Sequence, residues 1–88
     1  MKSRATRRFW GCYAKLPRHI QRLAVKNYKL WLADPRHPSL DFKKLWGSAE
    51  RFSVRVGDHY RAIAERANDG VVWVWIGTHE EYNRLVSR

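Results

Sequence analysis

Between Arg51 and Tyr82 the chain reads RFSVRVGDHYRAIAERANDGVVWVWIGTHEEY, and this stretch restricts the possible folds more than any other. Phe52, Val54 and Val56 alternate with Arg51, Ser53 and Arg55, the period-two pattern of a half-buried strand. A slip of one residue in the pairing of such a strand turns every side chain to the other face. The turn after Val56 therefore decides what is buried. A two-residue loop of Gly57-Asp58 would set Val54 across from Arg61 and mix the faces. A three-residue loop, Gly57 to His59, pairs Val56 with Tyr60, Val54 with Ala62 and Phe52 with Ala64. An apolar face then separates from one bearing Arg51, Arg55 and Arg61. Burying unpaired arginines is costly, so the three-residue loop or a bulge is expected. Asn68-Asp69-Gly70 marks the next turn. Val71 to Ile76, VVWVWI, is apolar on both faces, as a central strand is. Past Gly77, Thr78 and Glu81 have the spacing of a capping box for a short helix through Leu85.

Upstream, the period changes to that of helices. Thr6 is placed to cap a first helix over 7–16, with Phe9, Trp10, Tyr13, Ala14 and Leu16 on one side. Pro17 suits the first turn of a second helix reaching Ala33, where Asp34-Pro35 ends it. Ile20, Leu23, Ala24, Tyr28 and Trp31 form its apolar stripe; Arg18, Arg22, Lys26 and Lys29 form a basic one. The short linker implies an antiparallel hairpin with the helices side by side. Residues 34–40, DPRHPSL, form a rigid connection. Leu40 to Trp46 reads either as an edge strand, with Leu40, Phe42 and Lys44 on one side, or as a structured loop, and Gly47-Ser48 as a turn. The expected class is α+β: an N-terminal two-helix hairpin on one face of a three- to four-stranded antiparallel sheet, with a short C-terminal helix or tail. Eighty-eight residues make one domain, 1–88.

Charge points to a partner. The net charge is +10, and residues 1–33 hold nine Lys or Arg and no acid. A charge run is often a solvated face that aids solubility. Like charges at i, i+4 nevertheless cost a helix roughly 0.2–0.5 kcal/mol per pair, which favours a polyanionic partner here. A single cysteine, Cys12, excludes an intramolecular disulfide and fits a reducing cytoplasm. No apolar run is long enough to span a membrane, and MKSRATRR lacks the apolar segment of a secretory signal. His19, His37, His59 and His79 share no metal-ligand spacing, and His79-Glu80-Glu81 is not HExxH. No metal or cofactor is expected.

The arginine face and the end of the third strand carry the candidate chemistry. Arginine on a surface strand often guards against aggregation, but three on one face also present forked donors suited to phosphate. Histidine titrates near neutrality and serves as general acid or base. RNA supplies its own nucleophile, the 2′-hydroxyl. Cleavage then needs a base, an acid for the departing 5′ oxygen, and a cation at phosphorus, roles that His79, Tyr82 and Arg61 fit. Trp73 and Trp75 have the faces to stack bases, but in an apolar central strand core packing is the stronger expectation.

Two blocks resemble a known family. Arg55-Val56-Gly57-Asp58-His59-Tyr60-Arg61-Ala62-Ile63 is similar to the "RVGDYRVIY" hairpin of the RelE/ParE superfamily of bacterial toxin–antitoxin toxins, with His59 added. Trp75-Ile76-Gly77-Thr78-His79-Glu80-Glu81-Tyr82 resembles the "IGTHAEYD" ending of HigB-like members. The resemblance implies a cytoplasmic toxin, paired with a cognate antitoxin, that cleaves mRNA in the ribosomal A site by 2′-hydroxyl attack. It implies catalytic roles for Arg61 and His79 and RNA contacts from Arg51 and Arg55. Tyr82 is the third expected catalytic residue, although it sits closer to Gly77 than the catalytic tyrosine of RelE does. Lys43, Lys44 and the basic helix positions Arg22 and Lys26 are expected on RNA by their charge and arrangement. Ser53 stands where some RelE members have lysine, and only Lys2 to Ala5 remain for the first strand of the family. Arg61→Ala and His79→Ala are expected to abolish cutting with the fold intact. ParE-like members, which bind DNA gyrase without catalysis, and a basic RNA-binding module without catalysis are the competing readings.

Overall fold

The computed structural model describes residues 2–47 and 50–86. Strand β1 (Lys2–Ala5) leads into helix α1 (Arg7–Ala14) and helix α2 (Arg18–Ala33). A 3-10 turn at Pro38–Leu40 precedes strands β2 (Lys43–Lys44), β3 (Arg51–Val56), β4 (Tyr60–Ala67) and β5 (Gly70–Thr78), and helix α3 (His79–Val86) closes the chain. The strands form one sheet in the order β1-β5-β4-β3-β2. The α+β class stands as the sequence implies, but the sheet has five strands and is mixed, because β1 runs parallel to β5. Four residues with no apolar alternation carry no strand signal of their own. Pairing with β5, whose outer edge would otherwise be bare, makes β1 a strand.

The β3–β4 hairpin has the three-residue loop, and its register is Val56 with Tyr60, Val54 with Ala62 and Phe52 with Ala64. Gly57 takes φ 66° in that loop, the left-handed conformation that glycine adopts without strain. Between β4 and β5 the register shifts: Ile63 pairs with Trp75 but Ala64 with Trp73, so Val74 is an extra residue in β5. This bulge places the two tryptophans on opposite sides of the sheet. Trp73 joins the main core of Leu16, Ile20, Trp31, Leu40, Val54, Val56, Ala62, Ala64, Val71 and Ile76 beneath the helices. Trp75 packs with Ile63 and Tyr82 on the α3 side. Both tryptophans are buried, as core residues.

Thr6 caps α1, accepting a hydrogen bond from the Phe9 amide at 3.1 Å. Helix α1 stops at Ala14, two residues short of the expected end. Pro17 is the cap of α2 and does not lie within its first turn, and Asp34 ends the helix. The helices meet where Gln21 Nε2 donates to the Tyr13 carbonyl at 3.0 Å. Beyond that point a cleft of about 240 Å³ separates them, with Phe9, Trp10, Val25, Tyr28 and Trp73 among its walls. The 40–46 segment is mostly not a strand: Leu40 ends the 3-10 turn, fully buried, and only Lys43 and Lys44 pair with β3. Of the expected Gly47-Ser48 turn, Ser48 lies outside the described residues. Among the described residues no helix is long and apolar enough to cross a membrane.

Candidate functional site

The site lies on the side of the sheet away from α2, where β3, β4 and β5 present Ser53, Arg55, Arg61 and Gly77. Arg61 sits directly between Arg55 on β3 and Gly77 on β5. Glycine is required beside it: a Cβ on residue 77 would stand 2.5 Å from Trp75 Cζ2 and 2.9 Å from Glu81 Oε1. That close approach lets α3 fold back over the sheet. The helix starts as the capping box predicts. The Glu81 amide donates to Thr78 Oγ1 at 3.1 Å, and Glu81 Oε1 accepts from the Thr78 amide and hydroxyl, each at 3.0 Å. Those two bonds, helped by Arg84 and Lys15 against a smaller effect of burial, hold the Glu81 carboxyl below its ordinary range.

His79 and Tyr82, three residues apart on α3, share a helix side, with ring centroids 5.7 Å apart in an edge-on contact. Tyr82 is buried, and the Arg61 guanidinium lies over its ring at 5.0 Å. The Tyr82 hydroxyl donates to Ser53 Oγ at 3.1 Å. Ser53 Oγ also accepts from Arg61 Nη2 at 2.7 Å, which fills both lone pairs of the hydroxyl. Arg61 is only 1% exposed. Its charge is met by Asp41, whose Oδ2 accepts from Nη1 at 3.1 Å and whose carbonyl accepts from Nη2 at 2.8 Å. Asp41 holds the left-handed conformation, φ 43° and ψ 51°, as the residue that ends the 3-10 turn. Burial pushes its carboxyl up, but Lys43, the hydrogen bond and charge of Arg61, and Arg55 together bring it below its ordinary range.

The three expected catalytic residues are thus in one place. Their surroundings differ from the expectation of an open arginine face. Arg61 is the floor of the site, so its removal would also strip Asp41 and Ser53 of a partner. Arg55 is exposed with no carboxylate within 4.0 Å among the described residues, whereas Arg51 pairs with Glu65 at 3.0 Å. Lys43 pairs across from Ser53 and so joins this face, 3.7 Å from Asp41. Lys44 pairs across from Phe52 and belongs to the helix side. Arg22 and Lys26 ride on α2, across the sheet from His79, and do not meet the site. His79 is exposed; its amide donates to the His59 carbonyl at 2.7 Å, and its Nδ1 lies 3.2 Å from Asn83 Nδ2.

Asp41, His59 and the double acceptor Ser53 were not anticipated. Asp41 left one cue: it is the sole acid between Asp34 and Glu50, in a chain whose strand face was about to bury an arginine. Among the described residues no three His, Cys, Asp or Glu side chains gather where a metal ion would sit.

Comparison with known proteins follows the fold. No curated protein matches the sequence significantly. A chain from the RelB–RelE antitoxin–toxin complex of Methanococcus jannaschii superposes with a TM-score of 0.74 at 18% identity, over 93% of this chain and 96% of that one. The isolated RelE toxin of E. coli superposes with a TM-score of 0.67 at 20% identity, over 98% and 95%. The YoeB/ParE toxin of Agrobacterium tumefaciens superposes with a TM-score of 0.70 at 14% identity, over 90% and 99%. At these identities the likeness is one of fold. A family model described as the ParE-like toxin domain matches residues 18–84, from the start of α2 through most of α3, and the chain belongs to that family, within the RelE/ParE superfamily of toxins.

Proposed function

We propose that this domain is the toxin of a toxin–antitoxin pair and acts as a metal-independent endoribonuclease on ribosome-bound mRNA. The observation that carries the reading is the stack His79–Tyr82–Arg61, which joins an exposed imidazole to a buried, always-charged guanidinium through one aromatic ring. In the reaction the 2′-oxygen attacks phosphorus as its proton passes to a base. The bond to the 5′ oxygen breaks, and that oxygen takes a proton from an acid. A 2′,3′-cyclic phosphate and a 5′-hydroxyl remain. His79 is the accessible proton carrier, and His59, whose carbonyl holds the His79 amide, brings a second exposed histidine to the same corner. Arg61, backed by Arg55 and Lys43, supplies positive charge where the phosphorus becomes crowded. Tyr82 supports both partners, its proton being engaged by Ser53.

The antitoxin partner is supported by the likeness to RelE in complex with RelB. The cleft between α1 and α2, with Trp10 and Val25 exposed at its walls, suits an apolar antitoxin segment flanked by acids that meet the basic helices. The test of the function is incubation of the purified domain with programmed ribosomes, and mapping of 5′-hydroxyl ends on the message. Cuts that persist in chelator and vanish with His79→Ala, with circular dichroism unchanged, are expected. Intact message together with inhibited supercoiling would overturn the nuclease reading in favour of gyrase as target.

A further inference from the structure

Among the cations of this face, Asp41 is the acid that sits against Arg61. Asp41 Oδ2 lies 3.1 Å from Arg61 Nη1 and 3.7 Å from Lys43 Nζ, with Arg55 directly across the strand pair from Arg61. Two cations therefore touch a single carboxylate while a third, Arg55, stands beside Arg61 and beyond 4.0 Å of that carboxylate, and the locus keeps an excess of two positive charges. The burial is unequal: the Arg61 side chain is 1% exposed and that of Asp41 is 42%. An anion arriving from solvent meets Asp41 first and cannot touch Arg61 past it. Moreover, Arg61 Nε is buried with no hydrogen-bond partner among the described residues, so the guanidinium has a donor that the resident carboxylate does not use. A carboxylate and a phosphate present similar oxygens to such a fork, and the phosphate has more of them.

We propose that the Asp41 carboxylate occupies, in the free protein, an anion site built by Arg61, Lys43 and Arg55 that takes a phosphodiester when Asp41 swings out. The position suits movement: Asp41 ends a three-residue 3-10 turn, and only its side chain need leave, since its carbonyl can keep its bond to Arg61 Nη2. The domain at rest thus screens its most buried cation from stray anions. A substrate must compete with an internal carboxylate before that cation can act. This inference rests on the nuclease reading only for the identity of the anion as RNA.

Asp41→Asn removes the charge and keeps a side chain that tolerates the left-handed conformation; Asp41→Gly does so with no side chain at all. Inorganic phosphate is titrated into each protein, following the Arg61 Nε–H resonance, which is assigned with Arg61→Lys. Both variants are expected to bind phosphate about fivefold tighter than the parent, the factor that one unit charge at contact distance makes in a water-like dielectric. The Arg61 resonance should move at lower phosphate than in the parent. Equal or weaker binding in both variants overturns the proposal, and so does tighter binding that leaves the Arg61 resonance still. RNA cutting, measured alongside, separates the two readings. Tighter phosphate binding with no cutting by any of the proteins leaves the self-occupied site standing without the nuclease. Cutting by the parent with phosphate affinity indifferent to Asp41 leaves the nuclease standing without the self-occupied site.

Discussion

Tyr82 touches both His79 and Arg61, and its two halves do different jobs. The ring lies beneath the guanidinium at 5.0 Å, while the hydroxyl is spent on Ser53. Tyr82→Phe keeps the ring and removes one neutral hydrogen bond, so urea unfolding should show a loss of about 0.5–1.5 kcal/mol. Cutting should slow by less than about tenfold. A loss of roughly a hundredfold or more, the scale of a missing general acid, would return the proton to the phenol. The histidine was legible from its place after Gly77 at a strand end. Burial of Arg61 was not, because it depends on Asp41 arriving from a loop twenty residues away in sequence. For the same reason Arg61→Ala no longer reads as a clean test of chemistry. It leaves Asp41 and Ser53 unsatisfied, whereas His79→Ala disturbs an exposed ring.

At the scale of elements, α3 is held by its first turn. Eight residues are too few for a helix to persist alone, and the Thr78–Glu81 box fixes where this one begins. Thr78→Ala is expected to cost about 1 kcal/mol in denaturant unfolding. It should also reduce cutting, because His79 follows the cap directly; unchanged cutting at equal loss of stability would mean that the imidazole is placed by something else. The box, the Thr6 cap and the β3–β4 register were all readable, since each follows from residues within a few positions of one another. The parallel β1–β5 pairing and the Val74 bulge were not. Neither has a local signature: β1 is defined by its neighbour, and VVWVWI alternates equally well with or without an extra residue.

For the whole molecule, the net charge of +10 is divided between two sides of one sheet. Arg55 and Lys43 stand with His79, while Arg22 and Lys26 stand with α2. Affinity for a short single-stranded RNA should fall with salt, each phosphate contact contributing about 0.7 to the slope of log K against log salt. Arg55→Gln and Lys43→Gln are each expected to lower that slope by about that amount, and Arg22→Gln and Lys26→Gln to leave it unchanged. A slope that responds to the α2 variants and not to the strand variants would place the RNA on the far side. Composition alone suggested a polyanion partner but no side for it, because helix and strand charges are equally exposed in a sequence; the sheet separates the two basic sets that these slopes distinguish.

Val74 settles a question of parity. Upstream of it, odd-numbered positions of β5, Val71 and Trp73, look toward the helices; downstream, the even-numbered Ile76 does. The strand thus holds two frames of alternation joined at one residue. Deleting Val74 would leave Ala64 opposite Trp73 and Ile63 opposite Trp75 in an unbroken ladder with its faces unchanged. Keeping Val74 and forcing it into the ladder would instead turn the end of the strand over like a page, carrying His79 and Tyr82 away from Arg61. Whether this corner of the domain comes together is therefore inherited as a way of counting along the strand as well as a set of side chains: the pairing must skip one residue between Trp73 and Trp75.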